Sequence, residues 1–252
     1  MNAQYSYTSD SQEYQYQEGQ QPRNLLKNVR LGFIRKVFSI LSVQLAFTVF
    51  MIFMSQQNHS FRLFQIRNEW VFTLSIILGL VISVGMYFVE ALTKKVPINY
   101  IALGLFTLCE GYMVSAFTLQ FSKLVVLQAG FLTAGATILL FLYACTTKKD
   151  VTILNSTLFM SLGSLFLVGI MSFFFRTELT IMLLQFASVL IYSFYLIYDI
   201  QLIMGNKSLK LDIDNYILGS LTIYIDIVRI FIKILQLLGQ KEEKEKDERN
   251  RK

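Results

Sequence analysis

Long apolar runs alternate with short polar links along most of this chain. The runs cover residues 33–55, 71–91, 98–119, 123–144, 152–175, 180–204 and 216–239. Each is close to the roughly 20 residues that carry an α-helix across a bilayer. The links are short, so consecutive helices are predicted to pack antiparallel. The pattern predicts an all-α integral membrane protein with seven transmembrane helices. The seventh run is the least uniform, because it holds Asp226, Arg229 and Lys233. It either spans fully or enters and returns under the cover of its neighbours.

The flanks read differently. Residues 1–29 are rich in Gln, Tyr and Ser and have almost no aliphatic side chains before Leu25. They hold neither a basic start nor an apolar core, so they do not make a signal peptide; they are predicted to be a disordered tail. Residues 30–239 form the membrane domain. Residues 240–252 form a charged, solvated C-terminal tail whose side depends on whether the seventh helix spans.

Composition sharpens the picture. Of 252 residues, 54% are hydrophobic, and the charges gather at the ends and in the links instead of being spread as in a soluble domain. The net charge of +6 therefore reads as orientation and headgroup contact, not nucleic-acid binding. Lys27, Arg30, Arg35, Lys36, Lys94, Lys95, Lys148, Lys149, Lys207 and Lys210 fall on one side, against Arg62, Arg67, Lys123 and Arg176 on the other. This bias predicts a cytosolic N-terminal tail. Of the sequons at Asn58, Asn155 and Asn206, only Asn58 then lies on the lumenal side. Cys109 and Cys145 sit inside apolar runs and read as small core residues. His59, the single histidine, lies in a polar link, which argues against a histidine metal site, a catalytic triad or any enzyme built on one.

Candidate chemistry concentrates in 191–239. Asp199 lies seven residues before Asn206, where the sixth run ends, and Asp226 lies ten residues after Tyr216, where the seventh begins. At 1.5 Å rise per residue both carboxylates sit roughly 10–15 Å from the same membrane face, on consecutive antiparallel helices, so they can face each other. A charge at that depth costs about 2.5–3.5 kcal/mol on insertion scales and usually marks function. Tyr192, Tyr195 and Asp199 share a helix face. If the two aspartates meet, they titrate as a coupled pair that shares a proton when closed and releases it, or binds a cation, when open. The competing reading is a structural ion pair, because Arg229 follows Asp226 by three residues. Glu110, in the third run, either lines an ion path or is a protonated acid bonded to a neighbouring helix. Glu90 and Lys94 are predicted to pair at a helix end. Gly163, Ser164 and Gly169 are predicted to mark close helix packing.

Two stretches, YLIYDIQLIMGN (195–206) and LTIYIDIVRIFIKILQLLG (221–239), carry a specific resemblance. With VRLGFIRKVFSILSVQL (29–45), NYIALGLFTLCEGYMVSAF (99–117) and the TKKDVT turn (147–152) in the same order, the chain resembles the Bax-inhibitor (TMBIM) family and its lifeguard branch over about residues 28–239. The resemblance implies six helices wrapped around a central seventh. It also implies a calcium leak channel of intracellular membranes, in the endoplasmic reticulum or Golgi, that restrains cell death. Asp199 and Asp226 then become the proton-sharing, pH-sensing pair that contacts calcium transiently. Calcium is the transported ion, with no permanently bound cofactor. The expected partners are the lipid bilayer, calcium and other apoptosis-regulating or calcium-handling membrane proteins. Thr222 stands where the family usually has Asn, and the second run offers no match for the arginine that latches the sixth-helix aspartate in bacterial relatives.

Rival seven-helix readings lack their marks. A receptor would need longer loops and a lumenal disulfide, and a retinal pump would need more tryptophans than Trp70. The serious alternative is a non-conducting regulator that binds other membrane or apoptosis proteins. Conduction needs the aspartates; a pure scaffold tolerates their loss.

Overall fold

The computed structural model describes residues 4–174, 177–205 and 207–250. Arg176, Asn206 and the extreme ends of both tails, used in the reading above, lie outside that range. The helices in chain order are α1 (Gln4–Gln57), α2 (His59–Arg67), α3 (Glu69–Phe88), α4 (Ala91–Lys94), α5 (Ile98–Phe117), α6 (Lys123–Thr146), α7 (Asn155–Phe174), α8 (Glu178–Met204) and α9 (Tyr216–Asn250). Single 3-10 turns follow α5 (Thr118–Gln120) and precede α7 (Thr152–Leu154).

Among the described residues, six stretches are long and apolar enough to cross a bilayer: Lys27–Gln57, Glu69–Phe88, Ile98–Gln120, Lys123–Thr146, Thr152–Ile170 and Leu179–Met204. They match the first six runs to within a few residues. Their outer faces expose large apolar side chains such as Leu80, Phe131, Phe159 and Met160, which only a lipid environment accommodates over so wide an area. The chain is an integral membrane protein in contact with the bilayer. Small polar caps start several helices, as with the Asn58 side chain accepting from Phe61 N before α2 and Thr177 Oγ1 accepting from Thr180 N before α8. Glu90 and Lys94 pair at 3.1 Å as their spacing predicts.

The seventh run is one unbroken helix that does not turn back. Between Tyr216 and Gln240 no residue of α9 is exposed, and Ile217, Leu221, Tyr224, Ile230 and Leu235 are wholly buried. It packs against α1, α5, α6 and α8. The cover its neighbours give is why this helix can carry charges that a lipid-facing helix could not.

At its ends the chain stays helical, with α1 extending back to Gln4 and α9 on to Asn250. One expectation is corrected: the small residues of α7 do not mark helix packing. A Cβ placed on Gly163 or Gly169 would meet nothing within 4 Å, and Ser164 is exposed. The close approach is at Gly111, where a Cβ would stand 3.1 Å from the Phe47 ring and so would press α5 off α1.

One end of the bundle is strapped. Arg30 of α1 donates from Nη2 to Leu202 O and from Nη1 to Leu211 O, both at 2.5 Å, so it bridges the last turn of α8 and the loop that follows. Gly205 ends α8 in the left-handed region (φ 65°), and a Cβ there would also stand 2.5 Å from Arg30 Cζ. Gly205→Ala should therefore lower stability by about 1–2 kcal/mol from the backbone alone, with more from displacement of Arg30. Thermal unfolding in detergent checks this, and an unchanged midpoint would remove Arg30 from the strap.

A second set of bonds ties the α6–α7 link to the same loop. Gln201 Nε2 donates to Lys149 O (3.1 Å) and Val151 N donates to Gln201 Oε1 (2.9 Å). Asp150 accepts from Ser208 N (2.9 Å) and Thr152 N (3.0 Å), and Leu209 N donates to Thr152 Oγ1 (3.2 Å). Hydrogen bonds from Ser208 and Thr152 hold the Asp150 carboxyl well below the usual carboxylate range. A depressed value in the folded state means its stabilising contribution is complete above about pH 4 and is lost only on further acidification. The difference in melting midpoint between wild type and Asp150→Asn should accordingly stay constant from pH 8 to pH 5.

Candidate functional site: a buried aspartate pair beside a cavity

Asp199 lies on α8, six residues before Gly205, and Asp226 lies on α9. The Gly205 cap and the short loop return the chain directly, so depth on both helices is counted from the same strapped end. Both carboxyls are buried, at 9% and 6% exposure, and both line one cavity. Asp226 Oδ2 is buried without a hydrogen-bond partner among the described residues.

A cavity of about 380 Å³ adjoins the pair. Its walls come from α3 (Tyr87), α7 (Leu162), α8 (Tyr192, Tyr195, Tyr198), the loop (Leu211) and α9 (Leu218, Thr222, Ile225). Tyr192 and Tyr195 thus line the same cavity as the aspartates. Thr222 lines the same cavity as Asp199, and its hydroxyl donates to Gly219 O at 3.3 Å. On α3 it is Tyr87, not a basic residue, that lines the cavity, and both aspartates act on it electrostatically.

Glu110 and Arg229 form a separate pair. Arg229 Nη2 lies 3.9 Å from Glu110 Oε1, across the interface between α9 and α5. The local arrangement open in the sequence, Arg229 neutralising Asp226 along one helix, is thus not the one adopted. Glu110 does not line the aspartate cavity. Beside this pair, Thr48 Oγ1 and Tyr224 OH share a hydrogen bond of 2.8 Å, and Gln44 Nε2 donates to Thr107 Oγ1 at 3.0 Å. The core between α1, α5 and α9 is therefore polar at several levels.

The family described as inhibitor of apoptosis-promoting Bax1 matches residues 30–243, nearly the whole membrane-embedded part. The chain belongs to the Bax inhibitor family. It is 32% identical to protein lifeguard 3 of Homo sapiens over 220 residues, covering 85% of this chain and 70% of that one. It is 31% identical to Bax inhibitor 1 of Schizosaccharomyces pombe over 215 residues (84% and 78%). It is also 31% identical to the Golgi anti-apoptotic protein of vaccinia virus over 212 residues (84% and 86%).

In this Bax inhibitor family member, several residues of the site escape a reading of single runs. Tyr87 and Tyr198 come to the cavity by packing alone. A further signal was present in the spacing. Thr222, Asp226, Arg229, Lys233, Gln236 and Gln240 recur at alternating steps of four and three, the period that keeps residues on one seam of a helix. Lys233 Nζ donates to Gln236 Oε1 at 3.2 Å along that seam. Testing the polar residues for this period, and not only the apolar ones, would have found it.

Proposed function

We propose that this protein is a pH-sensitive calcium leak channel of an internal membrane, gated by Asp199 and Asp226, and that it restrains cell death. The carrying observation is that the two buried carboxyls, from consecutive helices, line one cavity. In this reading the N-terminal tail is cytosolic, α9 is the seventh span, and the other six surround it. Its burial along its apolar length and its packing on α1, α5, α6 and α8 support that placement.

The chemistry is a balance of one proton. While the pair holds it, the hydrogen bond draws α8 to α9 and the site carries a single negative charge. As pH rises the proton leaves, two negative charges face each other in a poorly screened setting, and the helices part. The opened carboxylates are hard oxygen ligands suited to calcium, and two of them hold it weakly enough to let it go. The groups facing the pair are Tyr87, Tyr192, Tyr195, Tyr198 and Thr222, with Arg229 one turn further on α9. The tyrosines and Thr222 are neutral at working pH and can donate to a carboxylate.

Restraint of cell death and residence in the endoplasmic reticulum or Golgi draw on the relatives' names, which speak of anti-apoptotic action, Bax inhibition and the Golgi. Those names speak of regulation, not conduction, and so favour a second reading: a non-conducting regulator that binds other membrane or apoptosis proteins. Purified protein in liposomes separates the two. On the channel reading, calcium entry rises from about pH 6 to pH 8, and Asp199→Asn loses that rise. Folded wild type that admits no more calcium than empty liposomes would leave the regulator.

A further inference from the structure

The polar seam of α9 runs between two cavities. The first adjoins Asp199 and Asp226. The second, of about 420 Å³, lies at the other end of α9 and is lined by Gln185, Gln236, Gln240 and Glu242 among others. Gln185 is 7% exposed, and its Oε1 has no partner among the described residues. Arg229 and Lys233 stand between the cavities and line neither.

The depth of Arg229 is fixed from two directions. It lies 13 residues beyond Tyr216 on α9, about 20 Å along the axis, and its partner Glu110 lies 12 residues beyond Ile98 on α5, about 18 Å. Both helices start at the same strapped end, so the pair sits near mid-membrane. Yet the Arg229 side chain is 41% exposed, against 11% for Glu110. A guanidinium exposed to that extent among acyl chains would be very costly. The crevice it faces, between α9, the Glu110 face of α5 and Tyr192 of α8, would therefore have to hold water.

We propose that the Arg229–Glu110 pair is an inner charge filter on this seam, which limits the passage of divalent cations between the two cavities. The proposal rests on the channel reading. A fixed positive charge in a narrow aqueous path is a barrier to cations, and it weighs twice as heavily on a divalent as on a monovalent ion. Glu110 offsets that charge without removing it. With one proton on the aspartate pair, the acids (Asp199 with Asp226, and Glu110) balance the bases (Arg229 and Lys233). When the proton leaves, the seam carries one net negative charge. The aspartates would then decide when the path opens, and Arg229 with Glu110 how slowly calcium crosses it.

A filter and a structural ion pair predict different signs. Arg229→Gln should raise calcium flux about tenfold at pH 8 and shift selectivity from potassium toward calcium. Glu110→Gln, which leaves Arg229 uncompensated, should lower calcium flux about tenfold. The double variant Glu110→Gln/Arg229→Gln, which carries no charge at the pair, should fall between the two single variants. A purely structural pair would make both single variants lose flux together with thermal stability, and that result would overturn the proposal. Equal flux in all variants, with a conducting wild type, would overturn it as well.

A second measurement does not depend on conduction. In a background carrying Cys109→Ser and Cys145→Ser, Lys233→Cys should react with a membrane-impermeant, positively charged methanethiosulfonate in sealed proteoliposomes. Leu235→Cys, at a wholly buried position of the same helix, should not react. An unreactive Lys233→Cys would mean a dry seam and end the proposal even if the protein conducts. A reactive one beside a silent wild type would instead count against the channel reading alone.

Discussion

Replacing Gln201 with leucine should cost roughly 2–4 kcal/mol of stability, more than any surface substitution in this protein. The side chain is fully buried and uses both ends of its amide, accepting from Val151 N and donating to Lys149 O. Leucine is of similar size and leaves little void, so the loss comes from the two stranded backbone groups, each worth about 1–3 kcal/mol when buried without a partner. Gln201→Glu keeps the acceptor for Val151 N and gives up only the donor, so its loss should be about half. Thermal unfolding in detergent, followed by circular dichroism, reads both. A leucine variant within 0.5 kcal/mol of wild type, on the order of ordinary surface changes, would show that the α6–α7 link is not held by α8.

Asp226→Asn and Asp226→Ala should act in opposite directions on calcium flux, each by tenfold or more. An asparagine amide donates to the Asp199 carboxylate at any pH, so the contact between α8 and α9 no longer needs a proton. On the channel reading, that variant should stay closed at pH 8, where wild type should leak. Alanine removes the partner altogether. That variant should leak at pH 6 as fast as wild type would at pH 8. Proteoliposome flux at the two pH values is the measurement. Variants that behave alike, both open or both closed, would mean that aspartate charge is not what separates the helices.

The six spans, and the common depth of Asp199 and Asp226 on one cavity, could be read in advance for the same reason. A run of about 20 apolar residues has few alternatives to a membrane helix, and two helices joined by a short loop share a depth scale. Asp199 and Asp226 needed only counting from that loop. Glu110 and Arg229 are separated by more than a hundred residues, and which face α5 turns to α9 is decided by packing such as Gly111 on Phe47. Nearness in sequence pointed Arg229 at Asp226 instead. The 58–68 link hid α2 because its basic residues interrupt Phe61, Phe64 and Ile66; Gln65, buried against Ser55 and Ser115 through hydrogen bonds of 2.7 and 2.9 Å, anchors it. The strap at Gly205 was visible only as a glycine after an apolar run. That Arg30 would fill the space beside it belongs to the third dimension.

That strap also sets the mechanical advantage of any motion. With Arg30 and the Asp150 clamp holding the loop end of α8, the helix can swing from α9 mainly about that end, as a lever about its fulcrum. Asp199 lies about 9 Å from the fulcrum and Gln185 about 30 Å. A swing of about 10° would move Asp199 by roughly 1.6 Å, enough to break a hydrogen bond, and Gln185 by roughly 5 Å. On the gating reading, a movement set off near the short arm would be magnified about threefold at the far mouth.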